Sequence, residues 1–121
     1  MVNSRDKGAR GEREAAAELN SIFGTSARRG QQYKGSPESP DVAEFIDGVH
    51  IEVKRVERFN LYDALEQAER DSGPLDVPVV MHRKSRKDWV FVVKTRDMLR
   101  FMDMYDEARK KSLEEGKPQE D

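Results

Sequence analysis

Three residues of this 121-residue chain, Asp41, Glu52 and Lys54, have the types and spacing that metal-ion chemistry requires. They flank Asp47-Gly48, a dipeptide that favours a two-residue type I′ turn between antiparallel strands. With that turn, Asp41 lies opposite Lys54 and diagonal to Glu52 on one face of a hairpin. Diagonal backbones are about 7–8 Å apart, a span that two carboxylates can bridge through one cation. The alternative is a cross-strand ion pair of Asp41 with Lys54, which contributes under about 1 kcal/mol.

Glu12 is a fourth candidate for the same site. It lies at helical spacing from an apolar stripe on the first predicted helix, and that stripe consists of Ala15, Ala16, Leu19 and Phe23. A carboxylate on a buried face is costly unless it has a partner or binds a cation. We therefore expect Glu12 to point towards the acidic cluster. An ion pair with Arg10 or Arg13 is the alternative.

The elements that must position these residues follow from hydrophobic periodicity and from turn residues. The predicted helices are 5–23, 60–71 and one that begins near Thr95; the predicted strands are 27–29, 42–46, 49–56, 77–81 and 89–95. This order predicts a small α/β domain with a mixed central β-sheet flanked by helices. We expect one domain over 1–113 and a polar, frayed tail over 114–121.

The last predicted helix has an apolar stripe that could cover the sheet. The stripe consists of Met98, Phe101, Met102 and Tyr105, whereas Leu99 and Met104 fall outside it. Apolar residues that the sheet does not cover would remain exposed in a monomer, which favours an interface with a second subunit.

The composition excludes several classes of protein. The chain is too short for two domains, and without cysteine it has neither a disulfide framework nor a zinc-thiolate site. Only His50 and His82 could supply imidazole, and we interpret both as ordinary strand residues. Carboxylates must therefore hold any metal ion. The sequence shows neither a long apolar span nor a signal-peptide pattern, so we expect a cytoplasmic protein without a membrane partner.

The net charge of −2 hides a strong segregation of charge along the chain. Residues 1–36 carry +3 and residues 81–96 carry +5, whereas residues 37–80 carry −7 and residues 97–121 carry −3. Basic surfaces on both sides of an acidic site suit an enzyme that grips a polyanion. Chance clustering on a highly charged surface explains the same numbers equally well.

Two motifs carry a resemblance to a known family. Pro40-Asp41, with Glu52-Val53-Lys54 beginning eleven positions after the aspartate, resembles the motif of PD-(D/E)XK nucleases. The segment Lys7-Gly8-Ala9-Arg10-Gly11-Glu12-Arg13 resembles the opening of archaeal-type Holliday-junction resolvases, which bacteriophages also carry. The likeness spans about residues 7–95. The loop before Asp41 is longer than the family's Gly-Ser-Lys-Gly segment.

The resemblance implies a restriction-endonuclease-like fold and Mg²⁺-dependent hydrolysis of DNA at four-way junctions. It implies that Asp41, Glu52 and the Val53 carbonyl bind Mg²⁺, that Glu12 assists, and that Mn²⁺ can substitute. These oxygen ligands agree with the preference of Mg²⁺. Lys54, beside the carboxylates, would orient or deprotonate the attacking water and offset negative charge in the transition state.

Further residues are candidates for contacts with DNA. The expected phosphate contacts are Arg10, Arg13, Arg28, Arg29, Lys34, Lys84, Arg86 and Lys87, although a solvated surface explains most of them equally well. Gly8 and Gly11 would let a DNA backbone approach the first helix. Gln67 could position the attacking water or border the core. The loop from Gly30 to Ser39 is expected to read the shape of a branch point.

A homodimer is the expected assembly, because a four-way junction needs two symmetric cuts and this domain has one catalytic constellation. The host would be a bacterium, an archaeon or a phage-infected cell. Two alternatives stay open: a nuclease of the same fold that acts on other branched or duplex DNA, and a DNA-binding recombination accessory protein that does not cut.

Overall fold

A computed structural model describes residues 4–30 and 40–115 and shows the expected α/β architecture. The helices are α1 (Ser4–Phe23), α2 (Leu61–Asp71) and α3 (Met98–Glu114), with a 3₁₀ turn at Thr95–Asp97; the strands are β1 (Arg28–Arg29), β2 (Val42–Ala43), β3 (Val49–Lys54), β4 (Val77–His82) and β5 (Val90–Val93). The sheet order is β1-β2-β3-β4-β5, and only the β3–β4 pair is parallel. The prediction of a mixed sheet with flanking helices is confirmed.

One core lies between α1 and the sheet. Ala15 and Leu19 of α1 are fully buried in a cluster with Ile51 of β3 and Val79 of β4. The short alanine side chains let the helix axis approach the strands closely, as expected from their spacing. This packing places α1 beside β1, β2 and β3.

A second core lies under α2, which connects the parallel strands β3 and β4. The Asn60 side chain accepts a hydrogen bond from the Asp63 N–H (3.0 Å) and begins the helix as predicted. Ala64, Leu65 and Ala68 of α2 are buried against Val80 of β4. The helix therefore covers the face of β3 on which residues of even number lie.

The predicted hairpin register is wrong. Val42 pairs with Ile51, so Asp41 does not face Lys54 across the ladder. Strand β2 ends at Ala43 because Glu44 adopts a left-handed conformation with φ of +61°. Asp47-Gly48 does form a turn, closed by the Val49 N–H and the Ile46 carbonyl (3.0 Å), but only Gly48 has a positive φ. The turn is therefore not type I′, which requires two such residues.

The predicted apolar stripe of α3 is also partly wrong. Met98 and Met102 are about half exposed, whereas Met104, which we expected off the stripe, packs against the core with Phe101. Tyr105 meets Phe23 edge to face, with ring centroids 5.7 Å apart. The inward face of α3 therefore carries Phe101, Met104 and Tyr105, whereas Met98 and Met102 lie towards solvent.

Among the described residues, no helix is both long and apolar enough to cross a lipid bilayer.

Candidate active site

The Asp41 side chain is buried at the start of β2 and is fixed by backbone groups of β3. Its Oδ2 accepts a hydrogen bond from the Val53 N–H (2.8 Å), and its own N–H donates to the Ile51 carbonyl (3.0 Å). The observed register differs from the predicted one by two residues. Because side chains alternate with a period of two, this shift leaves Asp41 on the same face as Glu52 and Lys54.

The two ends of the loop before Asp41 meet beside it. The Gly30 N–H donates to the Asp41 carbonyl (2.9 Å), and a Cβ at position 30 would collide with the Pro40 carbonyl oxygen. Only glycine permits this approach. The loop that we expected to read DNA shape lies, apart from Gly30, outside the described residues, as does Lys34.

Gln67 of α2 connects the two active-site candidates of β3. Its Nε2 donates to Glu52 Oε2 (3.0 Å), and its Oε1 accepts from Lys54 Nζ (2.9 Å). Gln67 lies one turn after Ala64, on the side of α2 that packs on the sheet. Gln67 thus holds a carboxylate and an ammonium in fixed positions. We expected Gln67 to position the attacking water or to border the core, and no local pattern in the sequence indicates the bridge.

Glu12 of α1 forms an ion pair with Arg29 of β1, with Nε and Oε1 2.8 Å apart. Its partner is therefore neither Arg10 nor Arg13. Burial raises the pKa of the Glu12 carboxyl above its ordinary value, Arg29 opposes that rise, and the charge of Glu52 adds to it. The charge of Glu52 therefore acts on Glu12, and the role of Glu12 in a metal site stays a prediction.

His50 also lies beside Glu52, although we interpreted it as an ordinary strand residue. Its side chain is 4% exposed, and its Nε2 lies 3.6 Å from Glu52 Oε1, which is too far for a hydrogen bond. Among the described residues, no partner bonds to this buried nitrogen. A signal was present in the sequence, because residue 50 precedes Glu52 by two positions and must share its face of the strand.

The donor atoms at this site suit a hard divalent cation. Within residues 4–30 and 40–115, no three His, Asp or Glu side chains are gathered as a ready-made metal site. Asp41 and Glu52 are nonetheless buried to 8% and 6% exposure, and buried carboxylates need compensation by hydrogen bonds or by a cation. Their oxygen donors are those that Mg²⁺ prefers. The residues therefore fit the expected ion.

The candidate DNA contacts fall into two groups. Arg28 and Arg29 are engaged in ion pairs with Glu44 and Glu12. The other exposed candidates are Arg10 and Arg13 on α1 and Lys84, Arg86 and Lys87 on the turn between β4 and β5. Gly11 does not provide an open approach for DNA, because a Cβ there would lie 2.8 Å from the Arg55 side chain. It serves instead the close packing of α1.

The turn between β4 and β5 is tethered to the chain beyond β3. Both the N–H and the Oγ of Ser85 donate to Glu57 Oε2, over 2.9 and 2.7 Å. Arg86 in this turn has a φ of +66°. Trp89 and Phe91, at the start of β5, pack against the α1 core as expected of core residues. The exposed basic side chains of the turn therefore project from an anchored backbone.

Neither a family model, nor a curated protein, nor a solved structure matches this chain.

Proposed function

We propose that this protein is a metal-dependent, structure-selective endonuclease that resolves four-way DNA junctions by hydrolysis of phosphodiesters. The observation that carries the proposal is the bridge from Glu52 through Gln67 to Lys54, next to the buried Asp41. A carboxylate and an ammonium held side by side by one amide exceed what a stable fold needs. They are suited to binding a cation and a phosphate together.

In the proposed reaction, Asp41, Glu52 and the Val53 carbonyl would hold Mg²⁺, and Glu12 would assist. When bound, the ion supplies a water of lowered pKa and neutralises charge on the phosphate. Lys54 orients that water and offsets the charge of the pentavalent transition state. Gln67 keeps the Lys54 ammonium at its place before the substrate arrives, which reduces the cost of ordering the site.

The DNA would lie across α1 and the turn between β4 and β5. Arg10 and Arg13 are exposed on α1, and Lys84, Arg86 and Lys87 are exposed on the turn. Arg10 is close enough to Ser85 to line the same small cleft, so the two basic groups border one surface. Replacing one phosphate-binding side chain of this surface by alanine should lower the slope of log binding constant against log salt by about 0.9.

A homodimer would supply the two cuts that a junction needs. On α3, Leu99 is 74% exposed, and Met98 and Met102 are about half exposed. These residues are the first candidates for an interface. Sedimentation at micromolar concentration should give a dimer mass, whereas a monomer mass that persists with junction DNA would exclude paired cleavage by a dimer.

The experiment that tests the activity is a cleavage assay with labelled four-way junction, linear duplex and single strand, each with and without Mg²⁺. We expect symmetric nicks in the junction only when Mg²⁺ is present. The matched variants are Glu52→Gln, which removes the proposed ligand charge, and Glu66→Gln, which removes an exposed charge one residue before Gln67.

Each other result assigns a different activity. Equal cleavage of duplex and junction would make the protein a nuclease of the same fold without junction selectivity. Junction binding without any cleavage would make it a recombination accessory protein. Normal cleavage by Glu52→Gln would show that the proposed site is not the active site, whatever the substrate.

A further inference from the structure

The His50 side chain presents a buried nitrogen that the proposed oxygen-ligand site does not use. Its Nε2 has no hydrogen-bond partner among the described residues, although an unsatisfied buried polar group costs about 1–3 kcal/mol. An aliphatic residue would fill this position of β3 without that cost. The nitrogen is thus an expensive feature that packing alone does not explain.

The unpartnered nitrogen faces one oxygen of Glu52. Gln67 already binds Glu52 Oε2, so Oε1 is the oxygen that lies 3.6 Å from His50 Nε2. Two ligand atoms with bonds of roughly 2.1 Å to one ion lie about 3.0–3.6 Å apart when the angle at the ion is 90–120°. The observed separation falls at the wide end of that interval. One cation between the two atoms would satisfy both.

His50 also lines a cleft of about 300 Å³ together with Pro40, Gly48 and the residues that end α2. Pro40 directly precedes Asp41 in the chain, so this cleft lies beside the start of β2.

We propose that His50 Nε2 is a nitrogen ligand of the metal site, and that the site therefore prefers Mn²⁺ to Mg²⁺. The inference rests on the proposed function only in its choice of site. Imidazole suits first-row transition ions, whereas Mg²⁺ favours oxygen ligands and retains its waters. His50 Nε2 and Glu52 Oε1 then bind the ion from the same strand.

The test uses Mn²⁺ alone as the probe and electron spin-echo envelope modulation as the readout. Directly bound imidazole gives ¹⁴N modulation of the Mn²⁺ signal, and labelling the histidines with ¹⁵N must change it to the ¹⁵N pattern. The labelled wild-type protein needs no substitution, so a folding defect cannot confuse the result. The chain has only two histidines, which makes the assignment tractable.

Two variants assign the signal to one residue. His50→Leu should abolish the modulation and weaken Mn²⁺ binding about tenfold while changing Mg²⁺ binding less than twofold. His82→Gln is the matched control and should change neither. His82 stacks on Phe59 with ring centroids 3.9 Å apart, and its Nε2 lies 3.0 Å from the Val56 carbonyl oxygen.

The outcomes separate this inference from the proposed function. Mn²⁺ that binds without nitrogen modulation overturns the role of His50 and leaves the nuclease proposal intact. Nitrogen modulation from His50 without any cleavage of DNA supports the metal site and overturns the nuclease. If Mn²⁺ alone shows no binding, the role of His50 is overturned, and the Mg²⁺-dependent cleavage assay still decides the nuclease proposal.

Discussion

The central half of the sheet, β3 and β4, is paired more extensively than the edge half, β1 and β2. Strands β3 and β4 pair over six residues and are covered by α1 on one face and α2 on the other. Strands β1 and β2 pair over two residues, and β2 contacts β3 through a single registered pair. The central half carries Glu52 and Lys54, together with Gln67 of the helix that covers it. The edge half carries Asp41 and Arg29, together with Glu12, which forms an ion pair with Arg29.

This difference indicates how the candidate site divides its tasks. The central half holds its groups by cross-element hydrogen bonds between buried or half-buried side chains. The edge half holds Asp41 through backbone groups and joins the ends of a long loop beside it. If the proposed function holds, a rigid half that fixes Glu52 and Lys54 and a lightly paired half that borders the loop would let DNA enter without disturbing the Lys54 ammonium.

The largest loss of cleavage is expected when a proposed metal ligand is removed, and each half of the sheet supplies one such ligand. Asp41→Asn and Glu52→Gln each remove a charge at constant size, and each should lower cleavage at least about a hundredfold because the ion loses a carboxylate. Junction binding and thermal unfolding should change little, since the amides can still accept from Val53 and contact Gln67. Cleavage assays and melting curves check this. Full cleavage by the Asp41 variant would restrict the site to the central half.

A second prediction concerns the bridge within the central half. Gln67→Leu removes both hydrogen bonds, so Lys54 and Glu52 lose their common partner, and cleavage should fall about 10–100-fold. The matched control, Glu66→Ala, changes an exposed neighbour on the same helix and should retain activity. Single-turnover rates at saturating metal report the difference. If both variants cleave equally well, Gln67 only borders the core.

A third prediction concerns the turn that joins the halves. Gly48 has a φ of +90°, its carbonyl accepts from the Val77 N–H (2.7 Å), and a Cβ there would lie 3.0 Å from the Met104 side chain. Gly48→Ala should lower the free energy of unfolding by about 1–2 kcal/mol, because an L side chain is strained in this conformation. Urea denaturation measures the loss.

Gly24→Ala is the matched control for that turn. Gly24 has a φ of +69°, and a Cβ there would have no neighbour within 4 Å. The control shares the backbone strain and lacks the contact with Met104. If the two variants lose equal stability, the packing of α3 against the turn contributes nothing.

Local signals in the sequence were sufficient for the central half. Asn60 and Ser72 mark the ends of α2, and the alternation of strand residues puts Glu52 and Lys54 on one face whatever the exact register. The prediction that Asp41 shares this face is therefore unaffected by the error of two residues in the strand register. The same parity puts His50 on the face of Glu52.

Tertiary effects decided the edge half, and no short window of sequence contains them. The left-handed conformation of Glu44 ends β2 early, although glutamate rarely adopts it. Arg29 reaches Glu12 across 17 positions, whereas periodicity offered only the nearby Arg10 and Arg13. The pairing of β3 with β4 as parallel neighbours likewise depends on how α2 packs, which the order of elements alone leaves open.

The smallest expected effect concerns the partly buried charge of Glu12 beside the edge half. Burial raises the pKa of Glu12 above the ordinary 4.5, so its ionised form is less favourable in the folded than in the unfolded chain. The protonated Glu12 carboxyl therefore makes its full contribution to the free energy of unfolding below the ordinary pKa. That contribution is lost as the pH rises through the pKa of Glu12 in the folded protein.

Glu12→Gln separates burial from the ion pair, because the amide can still accept from Arg29 and avoids the buried charge. The variant should raise the free energy of unfolding at neutral pH, by under about 1 kcal/mol, and leave it unchanged near pH 4. Urea denaturation at the two pH values checks this, with cleavage measured in parallel. A variant that is less stable at neutral pH would mean that the ion pair with Arg29 outweighs burial, and that the edge half is held together by its charges.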